Sequence, residues 1–259
     1  MGAEVNDSLS VAGGSVIVTG AGRGLGLDYA RMYAAEGADV ALVDIRADEL
    51  DAAVVAISRD APDVKVIGLE VDVTDPASTA AMAEEVAAAF GSIDILVNNA
   101  GIWGDLKPAQ LISTDPSYWD VVMGVNLRGP LLCAQAVVEP MRVQQWGRII
   151  NISSMGAYMP SGVYGVSKLG LNQLTYALAV ELGIDGITVN AVAPGPIDNE
   201  ATRSQLPDAA LQKMSEGTAL KRMGTSTDLF GMLRYLSGTG ADWVTGQTFM
   251  VNGGFSSRM

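Results

Sequence analysis

The chain has 259 residues, a net charge of −13 and no histidine. That charge repels nucleic acid and anionic membranes at long range, and a lone cysteine, Cys133, in a histidine-free chain leaves no basis for an intrachain disulfide or a transition-metal site. The acidic, polar opening MGAEVNDSLS is neither a signal nor a transit peptide, and no apolar run approaches the roughly 20 residues of a membrane span, so a soluble cytoplasmic protein is expected.

No linker, low-complexity tract or repeat divides the sequence, which reads as one domain over residues 1–259. In chain order, short β-branched runs appear at SVIVT (15–19), DVALVD (39–44), VKVIGLEV (64–71), IDILVN (93–98), GRIINIS (147–153), GITVNAVA (186–193) and QTFMV (247–251). Between most of them lie ten or more residues of helical apolar spacing, such as GLGLDYARMYAAEG and PASTAAMAEEVAAAFG. Strands alternating with crossover helices predict an α/β fold, a doubly wound parallel sheet with helices on both faces. Ligands of such sheets sit off the carboxyl ends of the strands, where strand order reverses.

Those ends carry the informative residues. After the first strand comes TGAGRGLG, residues 19–26, whose glycines allow close backbone approach to a pyrophosphate at a helix N-terminus. Asp44 closes the second strand, where a carboxylate accepts hydrogen bonds from a ribose diol and repels a 2′-phosphate, favouring NAD over NADP. Arg46 or Arg23 beside it leaves NADP open as an alternative. In the stretch SSMGAYMPSGVYGVSK, 153–168, Tyr164 is the one tyrosine of the chain with a lysine, Lys168, four residues on; Tyr158 has Gly162 there instead. A spacing of four places phenol and ammonium on one helix face, and a neighbouring positive charge favours phenolate.

TGxxxGxG at Thr19–Gly26, Asn98-Asn99-Ala100-Gly101, Asn126 of VNLRG, Tyr164-x-x-x-Lys168 and Pro194-Gly195 follow one another in the order of the short-chain dehydrogenase/reductase family, which the chain resembles over nearly its whole length. The resemblance implies a Rossmann-type domain, an NAD(P)-dependent dehydrogenase or reductase acting on a small alcohol or ketone, and assembly as a homotetramer or homodimer through the long central helices. It implies pyrophosphate contacts from Gly20, Arg23, Gly24, Leu25 and Gly26, with Asp44 at the ribose and Asp72 and Val73 at the adenine. Asn98, Ala100 and Gly101 would line the cofactor; Pro194, Gly195 and Ile197 would face the nicotinamide, with Asn199 where the family often has a threonine.

By the same resemblance Tyr164 is the general acid/base, Lys168 lowers its pKa and binds the nicotinamide ribose, Asn126 holds a relay water, and a serine hydroxyl ending the fifth strand bonds the substrate oxygen. Ser154 is preferred to Ser153 by strand alternation, although its spacing of ten residues to Tyr164 is shorter than the family's usual one. Trp103, Met155, Tyr158 and Met159 are candidate substrate contacts, and residues 199–222, with Arg203, Lys213, Lys221 and Arg222, look like a substrate lid. The alternatives to an NAD-dependent secondary-alcohol oxidoreductase are an NADP-dependent 3-oxoacyl reductase and a non-catalytic dinucleotide-binding regulator.

Overall fold

The computed structural model of the chain describes residues 8–103 and 111–255, with the backbone alone at Ala201. Seven strands form one parallel sheet: β1 Ser15–Thr19, β2 Asp39–Asp44, β3 Val66–Glu70, β4 Ile95–Asn98, β5 Gly147–Ile152, β6 Ile187–Pro194 and β7 Thr248–Val251. Their order is β3-β2-β1-β4-β5-β6-β7, the doubly wound arrangement expected, with the reversal of strand order between β1 and β4. The central strands are buried throughout because both of their faces are covered, β5 and β6 enclosing Arg148, Asn151 and Asn190 among their apolar residues.

Side-chain alternation divides the core. Val16, Val18, Val40 and Leu42 point to the face covered by α1 Gly24–Ala35, α2 Ala47–Asp60 and α9 Ser226–Ser237, where they meet Tyr29, Tyr33, Leu50 and Leu233. Ile17, Ala41, Val43 and Leu96 point to the other, covered by α3 Pro76–Phe90, α5 Gly129–Gln144 and α6 Gly162–Leu182, where they meet Met82, Val86, Val137 and Leu182. The helix ends follow local rules: Asp75 caps α3 ahead of Pro76, Gly91 ends it in the left-handed region, and Thr225 with Asp228 forms a capping box on α9.

One helical stretch is long and apolar. Pro116–Gln144, made of α4 Pro116–Met123, a π turn at Gly124–Arg128 and α5, has a mean hydropathy of 1.5 in its most apolar window and by length and composition could cross a membrane. Polar residues such as Asn126 and Arg128 break up its apolar runs. In the fold its buried face, including Cys133, Ala134, Val137 and Met141, packs on the sheet beside α3. Cys133 is a core residue whose thiol burial pushes up to about 12. Two short helices, α7 Glu200–Gln205 and α8 Asp208–Gly217, follow β6.

Candidate active site

A cleft of about 650 Å³ follows the carboxyl ends of the strands, from Asp44 at one end to Met214 of α8 at the other. At the Asp44 end the turn after β1 enters α1. Gly20 has φ +64°, and a Cβ there would lie 2.8 Å from the Ala100 Cα, so the turn and the segment after β4 approach as only glycine permits. The Thr19 hydroxyl accepts from the N–H groups of Asn99 and Ala100, both at 3.0 Å, and the Asn99 amide donates to the Thr19 and Gly20 carbonyls. The α1 N-terminus has neither a side-chain cap nor an acidic residue in its first turn, so its N–H groups and positive dipole end remain available to an anion.

Asp44 is 6% exposed. Its Oδ2 accepts from the Gly22 N–H at 3.0 Å and its Oδ1 from the Arg46 N–H and Nε at 3.2 and 3.4 Å, while Arg46 also pairs with Glu49 at 3.0 Å. The carboxylate is thereby oriented along the cleft wall, with the nearby guanidinium already engaged. Asp72 accepts from both the N–H and the hydroxyl of Thr74, and with Val73 it lines the same end.

At the chemical end, β5 delivers Ser153 and Ser154 to opposite sides. The Ser153 N–H pairs with the Val192 carbonyl and its hydroxyl reaches back to the Lys168 carbonyl at 3.4 Å. The Ser154 Oγ accepts from the Gly156 N–H at 3.0 Å and is hydrogen-bonded to Tyr164. The short link is a 3₁₀ turn, Met155–Tyr158, fastened by Ser161, whose hydroxyl donates to the carbonyls of Gly156 and Met159 at 2.5 and 3.0 Å. A Cβ on Gly156 would lie 3.0 Å from the Tyr164 ring, so this turn packs directly on the phenol.

Burial raises the Tyr164 pKa to about 12, partly offset by the Ser154 hydrogen bond, and lowers that of Lys168 to about 8. The Lys168 Nζ lies 5.9 Å from the Tyr164 ring centroid and donates to the Ile152 carbonyl at 2.8 Å. Asn126, fully buried on the π turn, accepts from the Ile102 N–H at 2.7 Å and donates to the Ile102 carbonyl and the Ser167 hydroxyl, both at 3.2 Å. A Cβ on Gly101 would lie 3.4 Å from both the Asn126 Oδ1 and the Lys168 Nζ, so that glycine separates the two.

The structure brings Gly20, Arg23, Gly24, Leu25, Asp44, Asp72, Val73, Ala100, Gly101, Ser154, Tyr164, Lys168, Pro194, Gly195, Ile197 and Asn199 to the cleft, with Trp103, Met155 and Met159. It departs from expectation at five positions, the first being Asn126, which is fully buried and absent from the lining, its amide engaged by Ile102 and Ser167. Gly26 does not line the cleft; it lies under the turn, where a Cβ would collide with the Gly20 carbonyl, so its role is helix-to-turn packing. Asn98 is also absent from the lining: its amide donates to Asn151 at 2.9 Å and Pro130 at 3.3 Å, bracing β4 against β5 and α5. Tyr158 turns away from the cleft, and its hydroxyl accepts from Asn172 at 2.9 Å. Asn199 spends its side-chain oxygen on the Thr202 N–H at 2.8 Å as the cap of α7, leaving the Thr202 hydroxyl on the lining.

Sequence reasoning passed over Met214, because a methionine on an amphipathic helix carries no signal of its own, and Ser167, which joins Asn126 to the Tyr164 carbonyl. Of the IWGDL segment expected near the substrate, Gly104, Asp105 and Leu106 lie outside the described residues.

Comparison with known proteins bears on this arrangement. A family model described as enoyl-(acyl carrier protein) reductase matches residues 20–256. An uncharacterized oxidoreductase of Mycobacterium tuberculosis is 48% identical over 238 residues, 92% of this chain and 95% of that protein. A 3-oxoacyl-(acyl-carrier-protein) reductase of Staphylococcus aureus is 40% identical over 243 residues, 93% of this chain and 97% of that protein. Among solved structures, levodione reductase superimposes with a TM-score of 0.87 at 32% identity, covering 94% of this chain and 97% of that one. A short-chain type dehydrogenase/reductase from Mycobacterium marinum does so with a TM-score of 0.87 at 30% identity, covering 97% and 99%. The chain is therefore a member of the short-chain dehydrogenase/reductase family, an oxidoreductase of the class that uses NAD(P) and acts on small molecules.

Proposed function

We propose that the protein is an NAD-dependent oxidoreductase that interconverts a secondary alcohol and a ketone, with Tyr164 as general acid/base. The observation that carries this reading is one cleft with Asp44 fixed at one end and the Ser154–Tyr164 pair beside Lys168 at the other. The dinucleotide fits what is present: the glycine turn admits a close backbone approach, the α1 N-terminus is uncapped, and Asp44 presents a carboxylate where a 2′-phosphate would be repelled. When bound, the oxidised nicotinamide supplies a hydride acceptor and a positive charge near the phenol.

The chain's own groups handle the proton. At neutral pH Lys168, with its pKa near 8, is an ammonium. An ammonium on the same helix face favours phenolate by its charge. This opposes the rise that burial imposes on Tyr164. In oxidation Tyr164 takes the carbinol proton; in reduction it returns one to the developing alkoxide, which Ser154 steadies by a hydrogen bond. Asn126 and Ser167 hold the backbone on either side of Lys168, the route by which a relay water would resupply the proton.

The 3-oxoacyl reductase similarity favours a second reading, an NADP-dependent 3-oxoacyl reductase; Asp44 and the engagement of Arg46 speak against its cofactor. Residues 199–222 serve as a lid within a single domain, since Thr202 and Met214 reach the cleft from them. Val166, Leu169, Tyr176 and Val180 form an exposed apolar stripe on α6, which supports a homodimer or homotetramer. The acidic, cysteine-poor composition suits the cytoplasm. The test is a panel of diverse secondary alcohols with NAD and with NADP, following reduced nicotinamide. Faster turnover with NADP would reverse the cofactor assignment, and none with either would reverse the catalytic one.

A further inference from the structure

We infer that the substrate is an uncharged, largely apolar ketone or secondary alcohol, a hydrocarbon ring or chain that presents a single oxygen to Ser154 and Tyr164. This rests on the oxidoreductase reading of the same cleft and adds the class of molecule that enters it. Beyond Tyr164 the described wall is mostly apolar, with Ile102, Trp103, Met155, Met159, Pro160 and Met214. The charged side chains that line the cleft, Arg23, Asp44, Arg46, Asp72 and Lys168, lie at the dinucleotide end or on the Tyr164 turn of α6.

The lid cations that could grip an anion are engaged elsewhere. Arg203 holds Asp198 in a two-point pair at 2.6 and 2.8 Å, and Arg222 holds Asp228 likewise at 2.6 and 2.7 Å. Lys221 donates to the Glu216 carbonyl at 2.9 Å. Lys213 is exposed and does not line the cleft, although its neighbour Met214 does. Among the described residues, a substrate carboxylate or phosphate would thus be desolvated against thioethers and an indole without a charged partner.

The polar side chains of this wall are equally committed. The Ser161 hydroxyl donates to the Gly156 and Met159 carbonyls, and the Asn199 oxygen caps α7. Beyond Ser154 and Tyr164, the described lining adds the side chains of Ser153, Thr202 and Trp103 and the Asn199 amide nitrogen, with Ser153 turned to the Lys168 carbonyl, fewer partners than a sugar or polyol requires. Three methionines, two from the link between β5 and α6 and one from α8, adapt their shape to an apolar ligand without specifying one outline.

The decisive experiment measures binding apart from turnover. Tyr164→Phe protein saturated with NADH is titrated calorimetrically with 4-tert-butylcyclohexanone, 4-oxocyclohexanecarboxylate, a polyhydroxylated cyclohexanone and 3-oxobutanoyl coenzyme A. The tert-butyl ketone is expected to bind at least about 100-fold more tightly than the others, and Met214→Lys to narrow its margin over the carboxylate about tenfold or more. Comparable or tighter binding of any of the other three, or no binding of the apolar ketone, overturns the inference. Apolar binding without reduction by the unaltered protein would instead overturn the hydride-transfer reading and leave the substrate class standing.

Discussion

At the Asp44 end of the cleft the ligand-facing groups are backbone N–H donors and a carboxylate fixed by Gly22 and Arg46; at the Met214 end they are thioethers, prolines and an indole. The first end is built for one shape of partner, since a diphosphate and a ribose diol each demand particular donors and acceptors at particular distances. The second, if the inferred substrate class holds, would exclude by lack of polarity and accept a range of apolar outlines. Tyr164, Ser154 and Lys168 stand at the junction, where a rigid binding end meets an adaptable one. On the proposed reading, cofactor choice would depend on individual atoms and substrate choice on the composition of a surface.

The sharpest way to separate the two ends is at their junction. Tyr164→Phe should lower kcat by about 10³-fold while leaving the NADH dissociation constant within about threefold, read by steady-state kinetics and fluorescence titration; parallel losses would mean the phenol serves binding instead.

A second test uses pH on the dinucleotide-free protein. Burial holds Lys168 near 8 against its ordinary 10.5, so the ammonium's desolvation penalty is present below pH 8 and is relieved as pH rises from 8 to 10.5. Tyr164, raised from 10.0 to about 12, acts with opposite sign, and its contribution is lost between pH 10 and 12. Urea unfolding should therefore show the unaltered protein gaining roughly 2–3 kcal/mol relative to Lys168→Met between pH 8 and 10. Equal slopes would place the ammonium in solvent.

A smaller effect is expected at the far end. Asp44→Ala would remove the carboxylate proposed to bind a ribose and should weaken NAD about tenfold to a hundredfold while strengthening NADP; unchanged selectivity would remove Asp44 from cofactor choice. The smallest lies in the turn behind the phenol. Ser161→Ala should lower kcat a few-fold with NADH affinity intact, because the 155–158 turn loses its fastening to α6, and Ser161→Thr should recover it. A uniform loss of thermal stability with no change in kcat would make Ser161 merely structural.

The same contrast governs what could be read from residues alone. Gly20 and Asp44 announce themselves because the backbone geometry and charge at those strand ends admit few substitutes. Tyr164 stood out against Tyr158 by its lysine one helical turn later, and the structure sends the Tyr158 hydroxyl to Asn172. Ser153 and Ser154 were separable only by strand alternation. Met214 and Thr202 were not legible as lining, since their placement depends on how α7 and α8 fold back over the cleft, and an apolar wall can be assembled from many sequences. Asn98 and Gly26 sit inside recognisable motifs yet serve packing within the protein, a distinction that string patterns do not carry.

The closeness of Gly20 to Ala100 has a kinetic consequence. The turn is drawn tight by residues about eighty positions away in the chain, so it acquires its working shape only when β1 pairs with β4, a distant contact whose loop-closure entropy must be met first. A fragment ending after β3 would carry the whole glycine signature without the cradle. Binding competence should therefore emerge late in refolding, after the first helices have formed, and dinucleotide capture would report the closing of the sheet.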